Sequence, residues 1–254
     1  MSKAVYETNV YVSPDPSTQM DIVDMGLAYL TAHTSATVSS PSSQYAYDRI
    51  INAGGGLYFR IQIESTTAPA SVWISRGRIV NGEWVEDTNI YQSNLGPGPY
   101  SGYAVLININ GGDAWDLGLY LVRGSSYGGA QMEVHIRCVK IKSSLNANVY
   151  YAGCIYEGDP VTCRFPDSQE AVIVNNVPVR PYCLRNSYIA KNVPAGKLLL
   201  YPSLLSLSVP CLLGVPTIGN QKIYYPSTQM DTYMERVVGG STFISLGNVS
   251  IRSV

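Results

Sequence analysis

From residue 55 the chain alternates: Leu57, Phe59, Ile61 and Ile63 fall on one side of an extended backbone, and Tyr58, Arg60 and Gln62 on the other. That period of two marks a half-buried strand. Further strand-like runs stand at 5–12, 71–75, 78–85, 103–109, 117–122 and 131–141. Asn81-Gly82 separates Arg78-Ile79-Val80 from Glu83-Trp84-Val85 and predicts a hairpin, because a type I′ turn wants positive φ at both central residues. Past residue 148, strands are expected near 149–156, 161–165, 171–177, 197–201, 204–209 and 242–252. Turn residues recur at the spacing of a β-sandwich or barrel, so the pattern predicts an all-β protein.

A period near 3.6 shows at two places. The hexapeptide PSTQMD occurs at 16–21 and again at 226–231. In each copy a threonine, Thr18 or Thr228, precedes an aspartate by three residues, Asp21 or Asp231, which suits a helix N-cap and an acid that answers it. Met20, Val23 and Leu27 give a thin apolar stripe that Gly26 is expected to cut short. Met230, Tyr233, Met234 and Val237 give a fuller one, with Gly239-Gly240 as its stop. Two short helices, or matched contact sites against neighbouring subunits, account equally for the repeat.

Ser143 to Asn148 has the composition of a linker, and four of the five cysteines and nine of the fifteen prolines lie beyond it. The expected organisation is one β-sandwich domain over 1–142, a linker over 143–148, and a second, disulfide-stapled β domain over 149–254.

Composition narrows the function. Charged residues make up 14% of the chain and the formal charge is −1, which offers no electrostatic footprint for nucleic acid. No apolar signal segment opens the chain, and Leu198 to Pro216, its most apolar stretch, is broken by Pro202 and Pro210, so no transmembrane helix is expected. Cys138 shares a strand face with Met132, Val134 and Ile136 and reads as a buried thiol. Cys154, Cys163, Cys183 and Cys211 form an even set without the close pairs that structural zinc prefers, so disulfides are expected. A turn at Gly158-Asp159 puts Cys154 opposite Cys163, leaving Cys183 for Cys211. Such bridges imply an oxidising or extracellular setting, or a hyperthermophilic host in which intracellular disulfides are ordinary.

No nucleophile elbow, phosphate loop, dinucleotide fingerprint or zinc-protease motif occurs. His33 and His135 read as solvated strand histidines, and Gly54-Gly55-Gly56 as a turn ahead of a strand. Asp113 and Asp116 have oxygens for a calcium ion, although a solvated turn explains them as well. No other cofactor is expected. Trp73, Trp84 and Trp115 would make a sugar-stacking platform if they shared a face; packing in a core is the alternative.

GGLYFRIQI, GGDAWDLGLYLVRG and AQMEVHIRCVKI together resemble a jelly-roll-type β-sandwich of the kind found in accessory modules of secreted proteins, so two jelly-roll-like domains with one or two short helices are expected. Across its length the chain, with 20 tyrosines, few charges and disulfide-compatible cysteines, resembles surface or virion structural proteins of hyperthermophilic archaea and their viruses. That resemblance implies an extracellular or virion-borne, non-enzymatic subunit that assembles with itself into a filament, capsid or surface layer. It also implies exchange of terminal strands, here Val5–Val12 (Val5, Tyr6, Val10, Tyr11 and Val12) or Thr242–Leu246 with Val249–Ile251, with Thr18, Asp21, Thr228 and Asp231 at candidate contacts. A carbohydrate-binding or adhesive module for cell-surface glycans, and a glycan hydrolase with an unrecognised carboxylate pair, are the alternatives.

Overall fold

A computed structural model describes residues 3–7, 11–13, 17–65, 70–95, 100–123, 131–143, 149–158, 171–174, 177–179, 181–184, 198–199, 204–207, 216–218, 221–226, 233–246 and 250–252. In chain order these are β1 (Lys3–Glu7), β2 (Tyr11–Ser13), α1 (Ser17–His33), β3 (Thr37–Ser39), β4 (Tyr47–Gly54), β5 (Leu57–Ile63), β6 (Ala70–Val80) and β7 (Glu83–Leu95). Then follow β8 (Tyr100–Ile109), β9 (Ala114–Arg123), β10 (Gln131–Ser143), β11 (Val149–Glu157), β12 (Ala171–Val174), β13 (Val177–Val179), β14 (Pro181–Leu184) and β15 (Leu198–Leu199). The last are β16 (Leu204–Leu207), β17 (Pro216–Ile218), β18 (Gln221–Pro226), β19 (Glu235–Val238), β20 (Ser241–Ser245) and β21 (Ser250–Arg252).

Among the described residues the protein is all-β apart from α1, and its sheets are antiparallel and open. One sheet runs β3-β4-β5-β6-β7, and a larger one runs β1-β8-β9-β10-β17-β18-β21-β20-β19, with β11 also on β10 and β2 also on β8. The alternation at 57–63 is realised directly: Leu57, Phe59, Ile61 and Ile63 are buried, and the residues between them are half-exposed. Asn81 and Gly82 both have positive φ, 53° and 85°, in the two-residue turn that joins β6 to β7. Gly54, Gly55 and Gly56 do form a turn before β5, and the ring of Tyr151 occupies the space where Cβ atoms on Gly54 and Gly55 would stand.

One core joins these layers. The inner face of the five-stranded sheet, with Ile51, Phe59, Ile61 and Ile74, meets Leu117, Leu119, Val134 and Ile136 of the large sheet, and α1 adds Ile22, Val23, Leu27 and Leu30. The Phe59 and Trp115 rings touch edge to face with centroids 6.2 Å apart. Gly153 of β11 lets the sheets close up, since a Cβ there would stand 2.6 Å from Leu57 Cδ2 and 2.8 Å from Phe59 Cζ. Residues 144–148 of the expected linker lie outside the described residues; the strands they join pair along the whole register from Val134–Glu157 to Lys142–Val149. Ile155 and Tyr151 of β11 pack into the same core as the earlier strands.

Two helix expectations need correction. α1 continues through Gly26 to His33. Gly26 is a packing position and not a stop: a Cβ there would stand 3.0 Å from Ala104 Cβ and 3.1 Å from Leu117 Cδ1, so its absence brings the helix onto β8 and β9. Where the expected second helix falls on described residues it is not formed: β19 occupies Glu235–Val238, and Gly239 and Gly240, with φ of 57° and 76°, make the tight turn into β20. In the second hexapeptide, Thr228 and Asp231 lie outside the described residues. Among the described residues no helix is long and apolar enough to cross a membrane.

Candidate functional site

The registers of β8 to β11 gather polar side chains on the face of the large sheet turned away from the core. Asp116 stands opposite Arg137, Gly118 opposite His135, and His135 opposite Tyr156. Because Leu117, Leu119, Val134 and Ile136 point into the core, strict alternation sends Asp116, Tyr120, His135 and Arg137 to the other side. That side is not left to water: Asp116, His135 and Arg137 are 1%, 2% and 1% exposed. A segment near the C-terminus covers it, and Tyr233, Phe243 and Leu246 are buried there.

A closed network results. His135 Nδ1 lies 2.5 Å from Asp116 Oδ1, and a carboxylate only accepts, so Nδ1 carries the proton. The Tyr233 hydroxyl donates to Asp116 Oδ2 at 2.6 Å, and the Tyr156 hydroxyl donates to the same oxygen. His135 Nε2 meets the Tyr120 hydroxyl at 2.9 Å. Rings lock the geometry: His135 stacks on Tyr156 at 4.9 Å, and Tyr120 on Tyr103 at 4.5 Å. Gly118 leaves room for the imidazole, because a Cβ there would stand 2.9 Å from His135 Cε1. Tyr233 reaches in with a positive φ of 64°, held by its own N–H to Ser245 O at 2.6 Å.

Burial alone pushes the Asp116 carboxyl up; the His135 imidazole beside it and the hydrogen bonds from His135, Tyr156 and Tyr233 outweigh this and hold it below the ordinary aspartate range. A tyrosine, histidine and aspartate in series have the connectivity of a proton relay. Here the histidine and the acid are sealed between layers, and both carboxylate oxygens accept hydrogen bonds from side chains. What the arrangement does is tie β9, β10 and β11 to the C-terminal segment.

A second polar group lies on the outer face of the five-stranded sheet. Arg60 Nε and Nη2 donate to Asp48 Oδ1 and Oδ2 at 2.9 and 2.7 Å, and Gln62 Nε2 donates to Oδ2 at 3.0 Å. The Arg60 guanidinium also sits 5.7 Å from the Trp84 ring, and Trp73, opposite Gln62, meets Tyr45 edge-on at 5.5 Å. Burial raises the Asp48 carboxyl, but the bonds from Arg60, Ser43 and Gln62 and the Arg60 charge bring it below its ordinary value.

Several expected roles are corrected. Both oxygens of Asp116 accept hydrogen bonds from side chains, and Asp113 lies in the turn before β9, 3.8 Å from Lys140 Nζ. Among the described residues no group of three or more metal-ligating side chains occurs. His135 is buried and not solvated, and His33 ends α1 stacked on Tyr6 at 3.6 Å instead of lying in a strand. Trp115 is buried, so the three tryptophans do not form one platform. Cys138 is buried on the core face as expected. Cys154 is buried opposite Arg137, and Cys183 lies in β14 opposite Leu205; their expected partners Cys163 and Cys211 lie outside the described residues.

Of the assembly candidates, Val5 is exposed, Tyr6 faces α1, Tyr11 and Val12 pair with β8 in β2, Thr18 is in the first turn of α1, and Asp21 is exposed; Val10 lies outside the described residues. Tyr120, Tyr156 and Arg137 were not singled out by the sequence, and Tyr233 was read only as part of an apolar helix stripe. The one local signal was Gly118, a glycine inside a strand between Asp116 and Tyr120. Compared with protein-family models, with curated proteins and with solved structures, the chain matches none.

Proposed function

We propose that this chain is a non-enzymatic structural subunit that assembles with copies of itself through open sheet margins, by exchange of its N-terminal strand, in an extracellular or virion setting. The observation that carries this reading is the place of β1. Among the described residues it is the outermost strand of the large sheet, and its ladder is made with β8 alone, from Lys3–Ile109 to Glu7–Val105. β2 continues along the same margin. A strand so placed can leave its own β8 and take the equivalent site on a neighbour with the same hydrogen bonds remade, so exchange costs little at equilibrium. The saturated Asp116 network also favours a structural role.

The test is light scattering and negative-stain imaging of the purified chain beside a deletion of 1–12 and the substitution Val5→Lys. Val5 is 46% exposed, so the lysine leaves the core untouched while placing a charge at the margin. Ordered oligomers that weaken in both variants, with circular dichroism unchanged in Val5→Lys, support the reading; a wild-type chain that stays monomeric at every concentration removes it. Glycan binding is the second reading, favoured by the half-exposed Trp73 and Trp84 on one sheet face with Arg60 between them. A glycan array with Trp73→Ala as control decides it.

A further inference from the structure

Every open sheet carries its own risk of pairing with strangers, and the margins of this protein are protected unequally. β3 is three residues long, β19 is four and carries Glu235 and Arg236, and β1 begins with Lys3 and ends with Glu7. Shortness and charge are the usual guards of an edge. β7 is different. It is 13 residues long, it ends the five-stranded sheet, and among the described residues it pairs with β6 alone. Its first half is guarded by Glu83, Glu86 and Asp87, the last tied to Arg76 at 3.1 Å. Its second half, Ile90-Tyr91-Gln92-Ser93-Asn94-Leu95, has no charge, proline or glycine. The register shifts between Ser75 and Gly77, and beyond the shift 90–95 lie flush on β6, from Ile90–Ser75 to Leu95–Ala70. Ile90 is 50% exposed, and Gln92 and Asn94 are exposed too.

We infer that residues 90–94 of β7 form a two-fold interface with the same segment of a second copy, joining the two five-stranded sheets edge to edge. This rests on the self-assembly reading and names a contact for it besides β1. Symmetry restricts the register. A two-fold axis perpendicular to the sheet keeps outer faces together, so opposed residues share parity, and a pairing centred on Gln92 sets it against its own copy. Ile90 then lies opposite Asn94 of the second copy, Tyr91 opposite Ser93, and the acids at 83–87 of the two copies are carried away from each other. The outer-face pairs Ile90–Asn94 and Gln92–Gln92 cover apolar surface and let two amides bond across the axis. The two interfaces differ in consequence: strand exchange at β1 can propagate head to tail, whereas the β7 contact closes on itself and would cross-link two such chains.

The test exploits the self-opposed residue. Gln92→Lys and Gln92→Glu each place like charges across the axis, so each alone should raise the dissociation constant of the pair at least about tenfold at low salt. Mixed in equal amounts they should recover association as a heterodimer, a rescue that a folding defect in either variant would not show. Sedimentation measurements on wild type, each variant and the mixture give the answer. If wild type associates and the variants associate equally well, or the mixture fails to recover, the β7 contact is overturned while self-assembly stands. If wild type is monomeric throughout, both fall.

Discussion

Substituting Tyr233→Phe removes one hydroxyl from the buried network and leaves the ring that packs beside it. The lost bond is 2.6 Å long, runs to an ionised carboxylate, and is out of water on both sides. Charge-assisted bonds of this kind are worth about 1.5–3 kcal/mol, and Asp116 keeps His135 and Tyr156, so no charge is orphaned. The expected loss is therefore about 2 kcal/mol, a sizeable part of the roughly 5–15 kcal/mol that holds a domain together. Asp116→Ala is the harsher change, because it strands the His135 Nδ1–H and two phenols at about 1–3 kcal/mol each. Its cost should exceed that of Tyr233→Phe by at least about twofold, and the double variant should cost less than the sum, since the two share one bond. The sign with pH follows from the lowered Asp116 carboxyl. A group whose folded value lies below its unfolded one stabilises fully above the unfolded value, about 3.9, and loses that contribution as pH falls through the folded value. The gap between wild type and Asp116→Ala should thus persist down to about pH 4 and narrow below it. Urea unfolding followed by circular dichroism across pH measures all of this. A Tyr233→Phe cost under about 0.5 kcal/mol, or strict additivity with Asp116→Ala, would refute the view that the carboxylate ties the C-terminal segment to the sheet.

Gly153→Ala should destabilise by about 1–3 kcal/mol in the same assay, because the new methyl meets Leu57 and Phe59 between the two sheets. Arg60→Ala should cost about 1–3 kcal/mol by leaving the Asp48 carboxylate, 2% exposed, without its bidentate partner. The lowered Asp48 carboxyl sets the sign again, so the difference should hold above about pH 4 and shrink in stronger acid.

The strands were legible because alternation is a local property. Leu57 to Ile63 and the Asn81-Gly82 turn need only their neighbours to be read, and both appear as expected. The second apolar stripe was misread because Tyr233, Met234 and Val237 fit a helix period, whereas it is the pairing of Glu235–Val238 with Ser241–Ser245 across the Gly239-Gly240 turn that makes this stretch a strand. A Gly-Gly pair ends a helix or turns a hairpin equally well. The polar site escaped for a different reason. Alternation at 116–120 and 133–137 tells that two faces exist, but it cannot tell that a chain segment over a hundred residues away lies on the polar one. Asp116 and Tyr233 are 117 positions apart, and only the tertiary structure brings them together.

The pairing of β1 with β8 has a consequence for biosynthesis. Lys3 finds its place opposite Ile109, so β1 has no native neighbour until about a hundred more residues are made. At ribosomal speeds of about 5–20 residues per second, that wait lasts roughly 5–20 s. Throughout it β1 of a nascent chain lacks its native partner strand.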